Sequence, residues 1–356
     1  GRTPYDRPNL SKDYLQGSAE PEWMPLRGDE FYAEHGIELL QDKVKGLKAG
    51  TKELKLDSGE NLKFDRLLIA TGGLPRTLDL PGSDLKNIFV LRSFASADAI
   101  IAAAETAQNV AVIGASFIGM EAAFSLTKRG KSVTVVAPDR VPFQRTLGPE
   151  IGELFKKVHE SNGVKFSLGS GVKGFEGDGS VQKVVLVSGE TIETDLVILG
   201  IGVRPATDFL EGFDLHEDGG VIADQYLSIG DDIFAAGDIV HFPDARNGDF
   251  TRIEHWRTAL QHGRVAAHNM AGTRTPLTQV PFFWTTQFDV TLNYVGHAVD
   301  WDDIKYEGDL QSKEFLAFYL KGGQIVAVAG MNRDREIAMW EEKFRAGDTS
   351  ARSISA

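Results

Sequence analysis

The sequence contains no cysteine. That absence excludes a dithiol relay, a thiolate nucleophile and thiolate-bound zinc or iron–sulfur clusters. It also excludes the disulfide framework that marks many secreted domains. Basic residues are in deficit: 38 Lys and Arg against 51 Asp and Glu give a net charge of −13. A nucleic-acid partner is therefore disfavoured, because phosphates need a basic face. No apolar run approaches the ~20 residues that span a bilayer, and no signal or transit pattern opens the sequence. The expectation is an intracellular protein, cytoplasmic or mitochondrial. Of the eight histidines, His255, His262 and His268 share one expected helix without carboxylate-rich spacing. They read as capping or packing residues, and no metal site is expected.

What is present is an ordinary globular composition, 42% hydrophobic and 25% charged over 356 residues, long enough for two or three domains. Val110 to Ile113 read as a buried parallel strand and Phe117 to Arg129 as a helix. Between them, Gly114-Ala115-Ser116-Phe117-Ile118-Gly119 stands where a dinucleotide pyrophosphate would rest on a helix N-terminus. A second strand, Ser132 to Val136, completes a βαβ unit, which carries more weight than the glycines alone. Ser116 replaces the usual second glycine, so backbone would approach the phosphates past a small side chain.

The rest of the pattern is coarser. A proline-containing loop opens the chain, and a short helix is expected from Asp29 to His35. A hairpin from Lys52 to Phe64 turns at Asp57-Ser58-Gly59, and an apolar strand runs from Arg66 into Gly72 and Gly73. Glu150 to Ser161 reads as a helix closed by Asn162-Gly163. Strands are expected around Val164 to Phe175, Gln182 to Ser188 and Asp195 to Gly202, with short apolar segments near Gly219 and Ile233. Trp256 to Met270 and Asp334 to Arg345 read as helices, and Glu314 to Ala329 as a hairpin turning at Lys321 to Gln324.

Three small-residue turns follow apolar strands in a fixed order: Ala70-Thr71-Gly72, Gly114 to Glu121, and Ala236-Gly237-Asp238. The third sets a carboxylate at a strand's C-terminal edge, where α/β sheets bind ligands. Together they resemble the two-dinucleotide flavoprotein reductases, in which a nicotinamide-binding domain is inserted into an FAD-binding domain. Pro4 to Lys12, Ile118-Gly119-Met120-Glu121, Gly200 to Pro205 and Glu254-His255-Trp256 narrow the resemblance. They point to the ferredoxin-reductase branch and, within it, to the apoptosis-inducing-factor-like proteins, over essentially the whole chain. That branch uses no redox disulfide.

The resemblance implies an α/β fold with two Rossmann-like dinucleotide-binding domains and a small α+β C-terminal domain. Residues 1–107 and 203–278 would bind FAD, 108–202 would bind NAD(P), and 279–356 would form the C-terminal interface domain. The family's first strand and its Gly-x-Gly-x-x-Gly turn have no counterpart here, so weak retention of FAD by this chain alone is expected. Lys12 and Glu121 would pair beside the flavin's reactive edge, where an ammonium stabilises arriving negative charge. Arg7, Val44, Ala70, Thr71, Gly72, Arg92, Gly237 and Asp238 would contact FAD, Arg92 through its phosphates. Glu254, His255, Trp256 and Trp284 would wall the nicotinamide side, and Gly202 would line the dinucleotide. The acid that holds the ribose diol in NAD-preferring folds falls at Ala137. Asp139 is its substitute, while Arg140 would welcome a 2′-phosphate, and the balance leans to NADH.

The implied activity is hydride transfer from NAD(P)H to FAD and electron transfer onward. The acceptor would be a ferredoxin or Rieske-type iron–sulfur protein, a quinone or dioxygen. The acidic balance disfavours a strongly acidic ferredoxin. The alternative is an NAD(P)H-responsive redox-sensing interaction protein with incidental turnover. Either would be a monomer or homodimer.

Overall fold

The computed structural model describes residues 3–350. Its centre is a five-stranded parallel sheet, in the order Ile88–Val90, Leu196–Leu199, Asn109–Ile113, Ser132–Ala137 and Lys165–Leu168. Side chains alternate across a strand, so each strand serves two cores. Val110, Val112, Val133, Val135, Leu196 and Ile198 face helices Phe94–Thr106, Phe117–Lys128 and Pro149–Ser161. Ala111, Ile113, Val136, Val197 and Leu199 face an antiparallel meander of Val172–Glu176, Lys183–Leu186 and Thr191–Glu193. Burial on both faces explains why these strands read as continuous apolar runs.

The expected strand from Val164 to Phe175 divides between two sheets. Lys165–Leu168 ends the parallel sheet and Val172–Glu176 opens the meander. The break falls at Gly169, whose φ of +81° lies in the left-handed region that glycine occupies without steric cost. Ile88–Val90 pairs in parallel with Leu196–Leu199. The central sheet thus begins well before residue 108.

Around this layer lies a first unit whose strand Leu67–Ile69 pairs in parallel with Ile233–Ala235. Its meander is Val44–Lys48, Glu53–Leu56 and Asn61–Lys63, the last two being the expected hairpin. Helix Trp256–Met270 buries Val265 and Ala266 in the same core. The C-terminal unit is a five-stranded antiparallel sheet, in the order Phe282–Gln287, Val290–Gly296, Gln324–Met331, Glu314–Lys321 and Asp303–Asp309. Helix Asp334–Arg345 covers one face through Ile337, Trp340 and Phe344. The other face, with Tyr294, Phe315, Ala317 and Tyr319, joins the core of the central unit. Among the described residues, no helix is long and apolar enough to cross a membrane.

Candidate functional site

The strands Asn109–Ile113 and Leu196–Leu199 are neighbours; from the first the chain crosses to Ser132–Ala137 on the far side, and from the second it leaves this sheet for Val203–Pro205. Such a switch point is where open α/β sheets bind ligands. Three glycines meet there. Gly114 has φ +112°, and a Cβ on it would overlap the Gly200 carbonyl oxygen. A Cβ on Gly119 would overlap the Gly114 carbonyl, and one on Gly200 would lie 2.9 Å from the Gly119 Cα. Main chain packs on main chain, which brings the start of helix Phe117–Lys128 directly under the turn. Ser116 caps that helix in extended conformation but its side chain accepts no capping hydrogen bond. Ser116 and Ile118 are exposed and Ala115 is buried. Phe117 packs between Phe143 and Phe283, with ring centroids 4.9 and 5.1 Å away.

One turn along the same helix, Glu121 is 4% exposed. Its Oε2 accepts hydrogen bonds from Lys12 Nζ at 2.8 Å and Ser11 Oγ at 2.6 Å. Its Oε1 accepts from Thr285 Oγ1 at 3.3 Å. Three distant segments therefore converge on one carboxylate. Burial of an ion this complete requires such partners. The 3-10 turn Pro8–Ser11 that presents Ser11 and Lys12 is fastened by Ser125 Oγ, which donates to the Ser11 carbonyl at 2.6 Å.

A second group gathers at Ala70-Thr71-Gly72. Gly72 has φ +68°, and a Cβ there would lie 2.7 Å from Arg92 Nη2, 3.7 Å from Arg7 Nη1 and 3.8 Å from Asp238 Oδ2. The turn is tied down by Thr71 Oγ1 donating to the Ala206 carbonyl at 2.7 Å and by the Ala206 N–H donating to the Gly72 carbonyl at 2.9 Å. Arg92 Nη2 donates to Asp238 Oδ2 at 3.3 Å. Burial and then the charge of Arg7 push the Arg92 guanidinium down from its ordinary value. Two guanidiniums with one carboxylate between them leave uncompensated positive charge, which suits phosphate oxygens. Gly237, with φ +79°, donates its N–H to His262 Nδ1 at 3.2 Å. Arg252 Nη1 donates to the Asp238 carbonyl at 2.8 Å and to Glu254 Oε1 at 2.6 Å, so Glu254 joins this group.

Between the two groups lies an aromatic face. His255 accepts from the Arg257 N–H at 3.2 Å and caps helix Trp256–Met270. Burial, then the charges of Lys12 and Arg257, push its imidazole down to about 4, so it is neutral at pH 7. Its ring lies 5.9 Å from that of Trp284, which in turn meets Trp256 at 6.2 Å. Neither tryptophan is a core residue: Trp256 is 43% and Trp284 40% exposed.

The remaining expected residues lie outside these groups' hydrogen bonds. Val44 opens its strand and packs, partly buried, on the first unit's core. The Gly202 carbonyl accepts from the Arg76 N–H at 2.9 Å. Ala137 is the buried last residue of Ser132–Ala137. Asp139 Oδ1 accepts from Arg145 Nε at 3.0 Å in an ion pair six residues apart in the chain. The loop bearing it is pinned to the glycine turn by the Phe143 N–H, which donates to the Ala115 carbonyl at 2.9 Å.

Sequence reasoning missed Ser11, Thr285, Gln287 and His159. Thr285 and Gln287 carried a usable signal, being polar residues at the inward positions of a strand whose outward positions are Trp284 and Thr286. Among the described residues, His216, Asp218 and His241 bring possible metal-ligand atoms within 4.8 Å of one another. Asp218 Oδ2, however, accepts from Arg252 Nε at 2.6 Å. The two imidazoles are stacked at 4.0 Å, so their lone pairs run side by side rather than converging.

A glycine-locked switch point, a guanidinium cradle and a buried ion pair between them define a protein built for two dinucleotides. The model of the pyridine nucleotide-disulphide oxidoreductase family matches residues 1–263, and that of the reductase C-terminal domain matches 282–354. The chain belongs to the pyridine nucleotide-disulphide oxidoreductase family, whose cofactors are FAD and NAD(P). It is 38% identical to human apoptosis-inducing factor 3 over 97% of its own length, but spans only 57% of that relative. It is 37% identical to the ferredoxin reductase subunit of 5,5′-dehydrodivanillate O-demethylase from a Sphingobium strain, covering 94% of this chain and 82% of that one. The crystal structure of a ferredoxin reductase from Rhodopseudomonas palustris superposes with a TM-score of 0.92 at 30% identity, covering 98% of this chain and 87% of that chain. The resemblance to ferredoxin reductases and apoptosis-inducing-factor-like proteins therefore holds, as does the α/β fold with its reductase-type C-terminal domain.

Proposed function

We propose that this protein oxidises NAD(P)H and passes the electrons through FAD to a ferredoxin-type iron–sulfur acceptor. The observation that carries the reading is the buried Lys12–Glu121 pair, set between the glycine-locked turn and the Arg7–Arg92 cradle. FAD, when bound, accepts the hydride of the nicotinamide and releases electrons singly. Every other part of the chemistry belongs to the chain. Gly114 and Gly119 clear the path of the nicotinamide dinucleotide to a helix N-terminus. Arg7, Arg92 and the Gly72 turn hold the flavin nucleotide's phosphates. Lys12, kept in place by Glu121, offers a fixed ammonium where negative charge arrives. His255, neutral with its hydrogen on Nε2, lines the transferring face together with Trp256 and Trp284.

The nucleotide preference follows from the loop after Ala137. We assign the ribose diol to Asp139, which favours NADH. Because Arg145 occupies one Asp139 oxygen and Arg140 is exposed beside it, NADPH is disfavoured only weakly. The acceptor assignment is supported by the sequence and structural relatives that are ferredoxin reductases. A solved complex of putidaredoxin reductase with putidaredoxin, whose reductase superposes with a TM-score of 0.91, belongs to the same group. The test is stopped-flow mixing of the FAD-loaded protein with NADH or NADPH, followed by a ferredoxin, a quinone or oxygen. Rapid bleaching by NADH and fast reoxidation by the ferredoxin alone support the reading. Slow bleaching with a long-lived reduced flavin and a nucleotide-dependent change in mass favours a redox-sensing role instead.

A further inference from the structure

Behind Glu121, on the side away from Lys12, runs a line of buried polar groups that the proposed reaction does not use. Thr285 Oγ1 lies 3.3 Å from Glu121 Oε1, and Gln287 Nε2 donates to Thr285 Oγ1 at 3.0 Å. Gln287 Oε1 lies 2.7 Å from His159 Nε2. Thr285, Gln287 and His159 are all 0% exposed. The line crosses three elements: helix Phe117–Lys128, strand Phe282–Gln287 of the C-terminal unit, and helix Pro149–Ser161.

Its polarity is fixed by donor counting. The Glu121 carboxylate, partnered by an ammonium, only accepts, so Thr285 must spend its single hydroxyl hydrogen on it. The Thr285 oxygen is then an acceptor and takes the Gln287 amide. That leaves the Gln287 carbonyl facing His159 Nε2, which must carry a hydrogen. Burial pushes His159 down to about 4, so the ring is neutral with its hydrogen on Nε2. His159 Nδ1 is buried and has no hydrogen-bond partner; a bare lone pair costs less there than an unpaired N–H. Phe288 and Phe166 close around this ring at 4.9 and 6.2 Å. The charged groups nearest the line are Lys12, on Glu121, and Lys128, whose ammonium lies over the Phe288 ring at 5.9 Å.

We propose that Thr285 and Gln287 are positioning residues for Glu121, forming with His159 a one-way donor chain through which the C-terminal unit sets which carboxylate oxygen faces Lys12. This rests on the functional reading above, in that Glu121 matters to flavin reduction only if that reading holds. Without the Thr285 hydroxyl, Oε1 has no donor and the carboxylate rotates between its remaining partners. Lys12 then no longer presents its ammonium in one place.

Two measurements decide this. Nitrogen-15 NMR of histidine-labelled, FAD-loaded protein at pH 7 should show His159 with Nε2 protonated and Nδ1 bare, since the donor count permits only that tautomer. The opposite tautomer, or an imidazolium, overturns the chain's polarity whatever the protein's activity. In stopped-flow reduction by NADH, Thr285→Val should lower the limiting rate about tenfold with the nucleotide's half-saturation unchanged, the value of one lost charge-assisted donor. Thr285→Ser should restore most of the rate. A parental rate in Thr285→Val, or equal losses in the Val and Ser variants, refutes positioning. Glu121→Gln serves as the control: if it reduces at the parental rate, the functional reading has failed. The tautomer measured in the parent protein still decides the chain, even where Thr285→Val does not fold.

Discussion

Replacing Lys12 by Met tests the site where stability and chemistry part company. Glu121 would keep its burial and its hydroxyl donors but lose its only ammonium, 2.8 Å away. At that separation the pair's direct attraction is about 6 kcal/mol with an effective dielectric of about 20. The carboxylate has already lost its hydration, so stranding it is expensive: breaking a buried pair costs about 3–5 kcal/mol. The Lys12 side chain is 25% exposed, and water through that opening places the expected loss near the lower end, about 3 kcal/mol. Glu121→Gln should cost less, because a neutral amide tolerates burial. In Lys12→Met/Glu121→Gln the stranded charge is gone, and most of the 3 kcal/mol should return, giving a coupling of about 2 kcal/mol. Flavin reduction should not return with it. The ammonium is absent from both Lys12→Met and the double variant, and each should be slowed at least tenfold. Urea unfolding followed by tryptophan fluorescence reads the first quantity, and stopped-flow bleaching at saturating NADH reads the second. If Lys12→Met loses less than about 0.5 kcal/mol, the pair behaves as a surface ion pair and the argument from burial is wrong. If the double variant recovers its rate along with its stability, Lys12 supports the fold and takes no part in the chemistry.

Further outcomes follow from other parts of the site. Gly119→Ala, whose new methyl would overlap the Gly114 carbonyl, should cost about 3 kcal/mol and abolish nicotinamide dinucleotide binding; calorimetric titration and thermal melting measure both. Ala137→Glu should raise the ratio of the NADH to the NADPH catalytic efficiency, and Asp139→Ala should lower it, with an unchanged ratio in both showing that the ribose lies elsewhere. His159, His255, His262 and His297 are all pushed down to about 4, chiefly by burial. Each takes up a proton near pH 6.5 when unfolded but only near pH 4 when folded. Their contribution is therefore whole above pH 6.5 and is lost as the pH falls towards 4, at up to about 1.4 kcal/mol per pH unit for each. Urea midpoints that stay flat between pH 7 and 4.5 would contradict this.

The parts legible from sequence were those in which a local pattern and a tertiary demand coincide. The βαβ turn was one, since strand, glycines and helix are consecutive. The helix from Trp256 to Met270 and the hairpin turning at Gly322-Gly323 were others, each carried by short-range periodicity. The ion pair of Lys12 with Glu121 came through family resemblance, because nothing local links residues so far apart. Strands Phe282–Gln287, Val290–Gly296 and Asp303–Asp309 went unread. Their inward positions mix Thr285 and Gln287 with apolar residues, which blurs the two-residue alternation. The same polar insertions are what feed the Glu121 carboxylate, so the pattern failed where the strand serves the site. Gly169 was passed over because a single left-handed residue splitting one apparent strand between two sheets leaves no trace in hydrophobicity.

The meeting of Gly114, Gly119 and Gly200 has a consequence for how this protein can change. Contact there is made by main chain alone, and no side chain of any size is tolerated without moving a strand. The floor of the proposed nucleotide site is thus closed to mutational exploration. The loop from Pro138 to Leu147 is anchored beside that floor by the Phe143 N–H and by the buried Phe143 and Leu147 side chains, while Arg140 and Arg145 stay exposed and Asp139 pairs with Arg145. Exchanges at Asp139, Arg140 and Arg145 leave the floor untouched. On the proposed reading, a handful of loop substitutions would trade one nicotinamide nucleotide for the other, while the glycines beneath persist as the fixed reference for each new arrangement.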